Sequence, residues 1–88
     1  MKGSSDKKLK DELKQLIIDE CDLDIGIDDI GDDDVLFGSD SPIGLDSVDA
    51  LQISIAVQDK YGLVITDSKT LRKVMKSINT FADFVRPE

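Results

Sequence analysis

Residues 44–51, Gly-Leu-Asp-Ser-Val-Asp-Ala-Leu, are the part of the chain best suited to carry a chemical group. Gly44 lets the chain turn, and an acid followed by Ser47 opens an apolar helical pattern. A serine hydroxyl at this position lies near free backbone N–H groups and the positive end of the helix dipole, where an attached phosphodiester is electrostatically favoured. The same spacing also fits a serine that is only a good first-turn residue.

Other chemistry is limited by what the chain lacks. It contains no His, the usual general base at neutral pH. The single Cys21 permits neither an internal disulfide nor a Cys-rich metal site, and at a helix end it is more typical of a small buried hydrophobe than of a reactive thiol. An EF-hand loop starting at Asp22 or Asp24 would lack both the required Gly and the required Glu. We therefore predict no catalytic residue and no specific metal site, and only weak divalent-cation binding stays open.

The charge of the chain is concentrated in one segment. Nineteen acidic and eleven basic residues give a net charge of −8, and residues 19–34 hold nine of the acids and no base. Repulsion between these carboxylates, together with Gly26 and Gly31, predicts a long acidic loop, and its isoleucines predict that the loop lies across the body of the protein. A field of this sign disfavours a nucleic-acid partner.

The sequence also lacks the signals of membrane insertion and export. No apolar run approaches the roughly 18 residues of a membrane span, and residues 1–9 lack the apolar run of a secretory signal. Eighty-eight residues are enough for one small domain. We therefore expect a single cytoplasmic domain, residues 1–88, in which residues 1–5 form a flexible tail.

Two long helical segments flank the acidic loop. The first is predicted at about residues 6–21 by an apolar stripe at helical spacing. The stripe consists of Leu9, Leu13, Leu16 and Ile17. The second is predicted at about residues 47–61, because Asp46 is a good N-cap, Asp49 completes a short-armed capping box, and Gly62 ends the helix. Its apolar surface is wider than one stripe, which indicates a central position in the fold.

Two further helices are predicted after the extended residues 63–65. The third begins after a cap at Thr66 or Asp67, and the fourth begins near Asn79 or Thr80. The apolar positions of the third are Leu71, Val74, Met75 and Ile78, and its basic outer face holds Lys69, Arg72, Lys73 and Lys76. The buried face of the fourth holds Phe81, Phe84 and Val85. The pattern predicts an all-α fold, a small four-helix bundle with the long acidic loop between helices one and two.

With these elements placed, residues 45–49, Leu-Asp-Ser-Val-Asp, resemble the attachment motif of the acyl carrier proteins and their peptidyl- and D-alanyl-carrier relatives. The hallmark of that family is an Asp-Ser-Leu-like tripeptide at the start of the second of four helices, and here Val48 stands where Leu is most usual. The first helix, the acidic loop, residues 61–65 and residues 78–85 also fall where the family has them. The resemblance therefore covers most of the chain.

The resemblance implies a carrier and not an enzyme. Ser47 would carry 4′-phosphopantetheine, transferred from coenzyme A by a phosphopantetheinyl transferase, and the arm would hold acyl groups as thioesters in fatty acid, specialised lipid or polyketide biosynthesis. A ketosynthase or an acyltransferase would be a typical further partner of such a monomer. Expected partner contacts are Asp46, Val48, Asp49 and Gln52. The expected acyl-chain pocket is formed by Val48, Leu51, Ile55, Leu71 and Val74, residues that are also explained as plain core positions.

The chain departs from the common fatty-acid carriers in its basic third helix, which is acidic in those proteins. Because charge pattern sets partner choice and association rate, we expect a specialised member with dedicated partner enzymes. Within the family, a D-alanyl or aminoacyl carrier is the alternative. Outside it, the alternative is a small acidic interaction or calcium-buffer module that uses residues 19–34.

Overall fold

The computed structural model describes residues 2–38, 41, 43–65 and 67–87, with Ser68 described by its backbone alone. Within those ranges the chain forms four α-helices and two short 3₁₀ turns, and contains no β-strand. The elements are the turn Gly3–Ser5, α1 (Lys7–Glu20), the turn Ile27–Asp29, α2 (Ser47–Tyr61), α3 (Ser68–Val74) and α4 (Ile78–Val85). The predicted all-α class is confirmed. None of the helices so described has the length and apolar character needed to cross a membrane.

The two long helices begin and end within one residue of the predicted positions. Asp6 caps α1 by accepting a hydrogen bond from the backbone N–H of Leu9 at 3.2 Å. Asp46 caps α2, which ends at Gly62. The backbone of Gly62 has a φ of 68°, a left-handed conformation that side-chain-bearing residues disfavour.

α3 is a short helix of about two turns. The Asp67 carboxylate caps it by accepting from the backbone N–H of Thr70 at 2.6 Å, and this bond lowers the pKa of Asp67. Thr66, the alternative cap, lies outside the described residues. The helix ends at Val74, one turn earlier than its apolar spacing predicts.

The predicted start of the last helix was wrong by one or two residues. Ile78, expected in the third helix, is instead the first residue of α4. The reason is a local cap: Ser77 Oγ accepts from the backbone N–H of Thr80 at 3.2 Å, and this satisfies one of the free donors at the new helix start.

The four helices enclose one apolar core. α1 lies against α2 and α4, and α3 lies against the same two helices. The buried helical side chains are Leu9, Leu13, Leu16, Ile17 and Ile18 of α1, Ala50, Ile53 and Val57 of α2, Leu71 of α3, and Ile78, Phe81 and Ala82 of α4. The buried face of α4 therefore includes Phe81 as predicted, whereas Phe84 and Val85 are only partly buried. They are the last two residues of α4, and the residues that follow them, Arg86 and Pro87, are exposed.

The described residues between α1 and α2 are attached to the bundle by both apolar and charged contacts. Ile30 is buried in the core. The Asp32 carboxylate lies 2.8 Å from Lys10 Nζ and 2.8 Å from Lys14 Nζ, both on α1. The backbone N–H of Asn79 donates to the Asp32 carbonyl at 3.0 Å. This part of the segment is thereby held between α1 and the start of α4.

Part of the predicted N-terminal tail packs on α4. Gly3 is buried, and its N–H donates to the carbonyl of Arg86 at 2.8 Å. A Cβ at this position would lie 1.9 Å from the carbonyl oxygen of Ala82, so only glycine permits this close approach. Met1, also within the predicted tail, lies outside the described residues.

Candidate functional site

The N-terminus of α2 is capped by the residue before Ser47. Asp46 Oδ1 accepts from the backbone N–H groups of Val48 and Asp49, each at 3.0 Å, and Asp49 Oδ2 accepts from the N–H of Asp46 at 3.1 Å. The predicted capping box is therefore present. Ser47 is the first helical residue and is exposed. Because Asp46 does the capping, the Ser47 hydroxyl is left available for another use.

The chain that leads into α2 is fixed by backbone hydrogen bonds. The N–H of Leu45 donates to the carbonyl of Leu36 at 3.0 Å, and the N–H of Gly38 donates to the carbonyl of Leu45 at 3.2 Å. Leu45 is also buried. Gly44 has a φ of 70°, so the turn before the helix needs the conformational freedom of glycine. Ser47 therefore lies two residues after Leu45, which is both buried and held by backbone hydrogen bonds.

Arg72 of α3 completes the surroundings of the serine. Its Nη2 donates to Ser47 Oγ at 2.9 Å, and both side chains are at the surface. The sequence places Arg72 on the basic face of the third helix but gives no sign that it reaches Ser47, because the contact joins residues 25 positions apart. The packing of α3 against α2 creates it. A guanidinium at this oxygen is suited to a phosphate, which it can bind through two parallel hydrogen bonds.

Two hollows meet at Ser47. One, of about 350 Å³, lies on the side of the preceding chain and is lined by Phe37, Gly38, Leu45, Asp46, Ser47 and Arg72. The other, of about 120 Å³, lies between α2 and α3 and is lined by Ser47, Ala50, Leu51, Ser54, Ile65, Asp67 and Leu71. A third hollow of about 490 Å³ lies between α1 and α2, where charged side chains line it and Ser47 takes no part. The two at Ser47 are the ones that an attached group would meet first.

Of the five residues expected to line an acyl pocket, the structure places two beside a hollow and three away from it. Leu51 and Leu71 line the 120 Å³ hollow. Val48 and Ile55 do not, because they point to solvent with exposed fractions of 65% and 54%. Val74 is half-buried against the core and is not part of the lining. The expected pocket is therefore corrected to one that α2 shares with α3 through Leu51 and Leu71.

The correction has a simple geometric cause in α2. The buried side chains are Ala50, Ile53 and Val57, and they occupy one side of the helix. Val48, Leu51 and Ile55, at i, i+3 and i+7, occupy the side that faces away from the core. α2 thus has two apolar faces, of which the core uses one. Among the expected partner contacts, Asp46, Val48 and Gln52 are exposed and Asp49 is half-buried.

The one cysteine is not suited to nucleophilic chemistry. Cys21 is half-buried just after α1, and this burial, with a further contribution from the Asp49 carboxylate, raises the pKa of its thiol to about 12. The thiol is therefore protonated at neutral pH. Over the described ranges, no group of three or more His, Cys, Asp or Glu side chains is arranged to hold a metal ion.

Comparison with known proteins adds no assignment to this geometry. No family model, no curated protein and no solved structure matches the chain.

Proposed function

We propose that this chain is an acyl carrier protein, and that Ser47 is the point at which 4′-phosphopantetheine is attached. The observation that carries the proposal is the state of the Ser47 hydroxyl. It is exposed, it is not needed as a cap, and it accepts a hydrogen bond from the Arg72 guanidinium at 2.9 Å. The resemblance of residues 45–49 to the attachment motif of carrier proteins supplies the identity of the group.

The attachment reaction asks little of the chain itself. A separate transferase would form a phosphodiester between Ser47 Oγ and the phosphopantetheine moiety of coenzyme A, while the bond to the adenosine bisphosphate breaks and the hydroxyl proton passes to a base of the transferase. The carrier presents the hydroxyl on a rigid helix start. After attachment, Arg72 and the positive end of the α2 dipole would both stabilise the negative charge of the phosphodiester.

The hollow beside Ser47 suggests how much cargo the folded chain can cover. A cavity of about 150 Å³ in another small protein is large enough for benzene. The space between α2 and α3, about 120 Å³, is somewhat smaller and is lined by Leu51 and Leu71. In this conformation it would admit only the first few carbon atoms of an acyl chain. A longer chain would require α3 to move away from α2, or would stay outside.

The remaining features refine the proposal. The basic face of α3 favours a specialised carrier over one that serves general fatty-acid synthesis, since partner enzymes would meet a different charge pattern. A D-alanyl or aminoacyl carrier is the nearest variant, and a small cavity fits its small cargo as well. The proposed acyl carrier would act as a monomer in the cytoplasm. The calcium-buffer alternative is weakened by Asp32, whose carboxylate is already bound to two lysines of α1.

The test is an intact-mass measurement after incubation with coenzyme A and a broad-specificity phosphopantetheinyl transferase. The wild-type chain should gain the mass of one arm, and Ser47→Ala should gain none. Ser54→Ala is the matched control, because Ser54 lies two turns further along α2 and its hydroxyl donates to the Leu51 carbonyl at 2.7 Å. It should gain the arm like the wild type. The absence of any gain with several transferases, or a gain by Ser47→Ala, would refute the proposal.

A further inference from the structure

Of the two hollows that meet at Ser47, one is large enough to receive most of an attached arm. The hollow of about 350 Å³ lies on the side of the chain that leads into α2, and we name it the loop-side hollow. We name the hollow of about 120 Å³ between α2 and α3 the inter-helix hollow. A cavity of about 150 Å³ holds the six carbon atoms of benzene. By that measure the loop-side hollow has space for roughly 14 non-hydrogen atoms and the inter-helix hollow for about five.

The loop-side hollow combines apolar walls with a base. Leu45 is buried, and Phe37 is half-buried against the core. Among the described lining residues, Arg72 is the one base and Asp46 is the one acid. The Asp46 carboxylate accepts from two backbone N–H groups of α2, whereas Arg72 forms no ion pair with a carboxylate that the structure describes. The hollow can therefore receive an anion at Arg72 and an apolar group at Phe37 and Leu45.

Arg72 connects the attachment point to this hollow. Its Nη2 donates to Ser47 Oγ at 2.9 Å. It lines the loop-side hollow and is not among the described residues that line the inter-helix hollow. When Ser47 Oγ becomes part of a phosphodiester, the guanidinium can donate to the phosphate oxygens, with which it forms stronger, charge-assisted bonds. A phosphate held there would begin the arm at the loop-side hollow.

The chemistry of the pantetheine moiety matches the remaining walls. Its pair of methyl groups on one carbon is suited to contact the Phe37 ring and the Leu45 side chain. Its amides need hydrogen-bond partners. The bridge between residues 37 and 45 uses the carbonyl of Leu36 and the N–H of Gly38, and the N–H and carbonyl of Phe37 form no hydrogen bond with a residue that the structure describes. These two groups are suited to pair with an amide of the arm.

We propose that the loop-side hollow is the binding site of the 4′-phosphopantetheine arm when the arm carries no cargo, with the phosphodiester at Arg72 and the pantetheine moiety against Phe37 and Leu45. This inference rests on the proposed carrier function and adds the place at which the empty arm lies. The inter-helix hollow is left for the first carbon atoms of an acyl group. Cargo bound there would draw the arm out of the loop-side hollow, since one arm cannot fill both.

The test uses the full chain labelled with ¹³C and ¹⁵N, with an unlabelled arm attached from coenzyme A and complete attachment confirmed by intact mass. Nuclear Overhauser effects between unlabelled and labelled protons report which side chains lie next to the arm. We expect them from the methyl groups of the arm to the Phe37 ring and the Leu45 methyl groups. Effects to Leu51 or Ile65 of the inter-helix hollow instead, or an arm that shows none to the protein, would overturn the inference.

Two substitutions in α3 test the role of Arg72. Arg72→Gln removes the charge that would hold the phosphodiester. Lys73→Gln is the matched control, because Lys73 is the next residue, is also exposed, and is not among the described residues that line either hollow. Since both side chains are exposed, neither change should prevent folding.

The two variants are compared with the arm fully attached. Arg72→Gln should weaken the effects between the arm and Phe37 at least about threefold and shift the ³¹P resonance of the phosphodiester, as expected when a charge-assisted bond is lost at an exposed site. Lys73→Gln should leave both measurements unchanged. If the two variants behave alike, Arg72 does not hold the phosphodiester and the inference fails.

The location of the arm is measured separately from its attachment. Attachment is read from the intact mass, and location is read from the Overhauser effects. A chain that gains the arm but shows no effects from it at Phe37 and Leu45 would keep the carrier function and refute the binding site. A chain that never gains the arm would refute both.

Discussion

Asp46 combines two roles that substitution can separate. Its Oδ1 accepts from the backbone N–H groups of Val48 and Asp49 and thereby caps α2. Under the proposed function, its charge is also an expected contact for the phosphopantetheinyl transferase. Asp46→Ala removes both the acceptor and the charge. Asp46→Asn removes only the charge, because Asn ranks with Asp as an N-cap and its side-chain oxygen still accepts the same bonds.

The size of the structural effect follows from the geometry of the cap. Alanine leaves two backbone N–H groups without their partners at 3.0 Å, but the site is exposed and water replaces part of the loss. Loss of such a cap costs about 1 kcal/mol of the free energy of unfolding. For a domain of this length, that corresponds to a fall in the melting temperature of roughly 4–8 °C. Asp46→Asn should lie within about 2 °C of the wild type, since it loses only the interaction of its charge with the helix dipole.

The assay pairs thermal unfolding, followed by circular dichroism, with the initial rate of arm transfer at limiting protein concentration. Both variants should be modified more slowly, by roughly three- to tenfold, because loss of a charge at the rim of an interface mainly lowers the association rate. Ser77→Ala is the control: it removes the cap of α4, which accepts from the Thr80 N–H at 3.2 Å, and should lower stability without slowing transfer. The reasoning fails if Asp46→Asn is modified at the wild-type rate, or if it is as unstable as Asp46→Ala.

Two further predictions concern ionisable groups away from Ser47. The hydrogen bonds and charges of Lys10 and Lys14 lower the pKa of Asp32. These two ion pairs therefore stabilise the fold at a pH above the ordinary aspartate pKa. Their contribution to the free energy of unfolding is lost as the pH falls through the lowered pKa of Asp32. Asp32→Asn should therefore lower the free energy of unfolding by about 1 kcal/mol at pH 7 in low salt, and urea titrations that show the same gap at pH 3 or in high salt would contradict this. The pKa of Cys21 is raised to about 12. Iodoacetamide at pH 8 should therefore alkylate its thiol at least about a hundredfold more slowly in the folded chain than in urea. Equal rates would show that the thiol is not held half-buried beside Asp49.

The sequence predicts a helix well where both of its ends carry local signals. α2 has a side-chain cap at Asp46 and a glycine at position 62 that adopts the left-handed conformation, and it begins and ends as predicted. The boundary between α3 and α4 lacks such a clear signal, because Leu71, Met75 and Ile78 continue the apolar spacing across the break. The hydrogen bond from the Thr80 N–H to Ser77 Oγ marks where α4 starts. Serine is common enough in loops that its presence alone does not reveal this bond.

The site shows a similar division between local and distant information. The position of Ser47 at the helix start follows from its immediate neighbours, and the structure has it there. The contact with Arg72 depends on how α3 packs against α2, and nothing in the sequence near either residue encodes it. The sequence also leaves open which face of α2 meets the core, because its apolar surface is wider than one stripe and offers more than one face for burial.

The two apolar faces of α2 also separate the residues that hold the helix in the core from those that are exposed beside Ser47. The core holds α2 through Ala50, Ile53 and Val57, and the caps hold both of its ends. The exposed side chains of Val48, Leu51 and Ile55 are therefore carried on a helix whose position does not depend on them. Substitutions at these three positions should leave the support of Ser47 intact, because substitutions at exposed positions away from caps and core usually change stability by less than about 0.5 kcal/mol. Under the proposed function, the attachment point would stay fixed while the surface beside it is free to change in sequence.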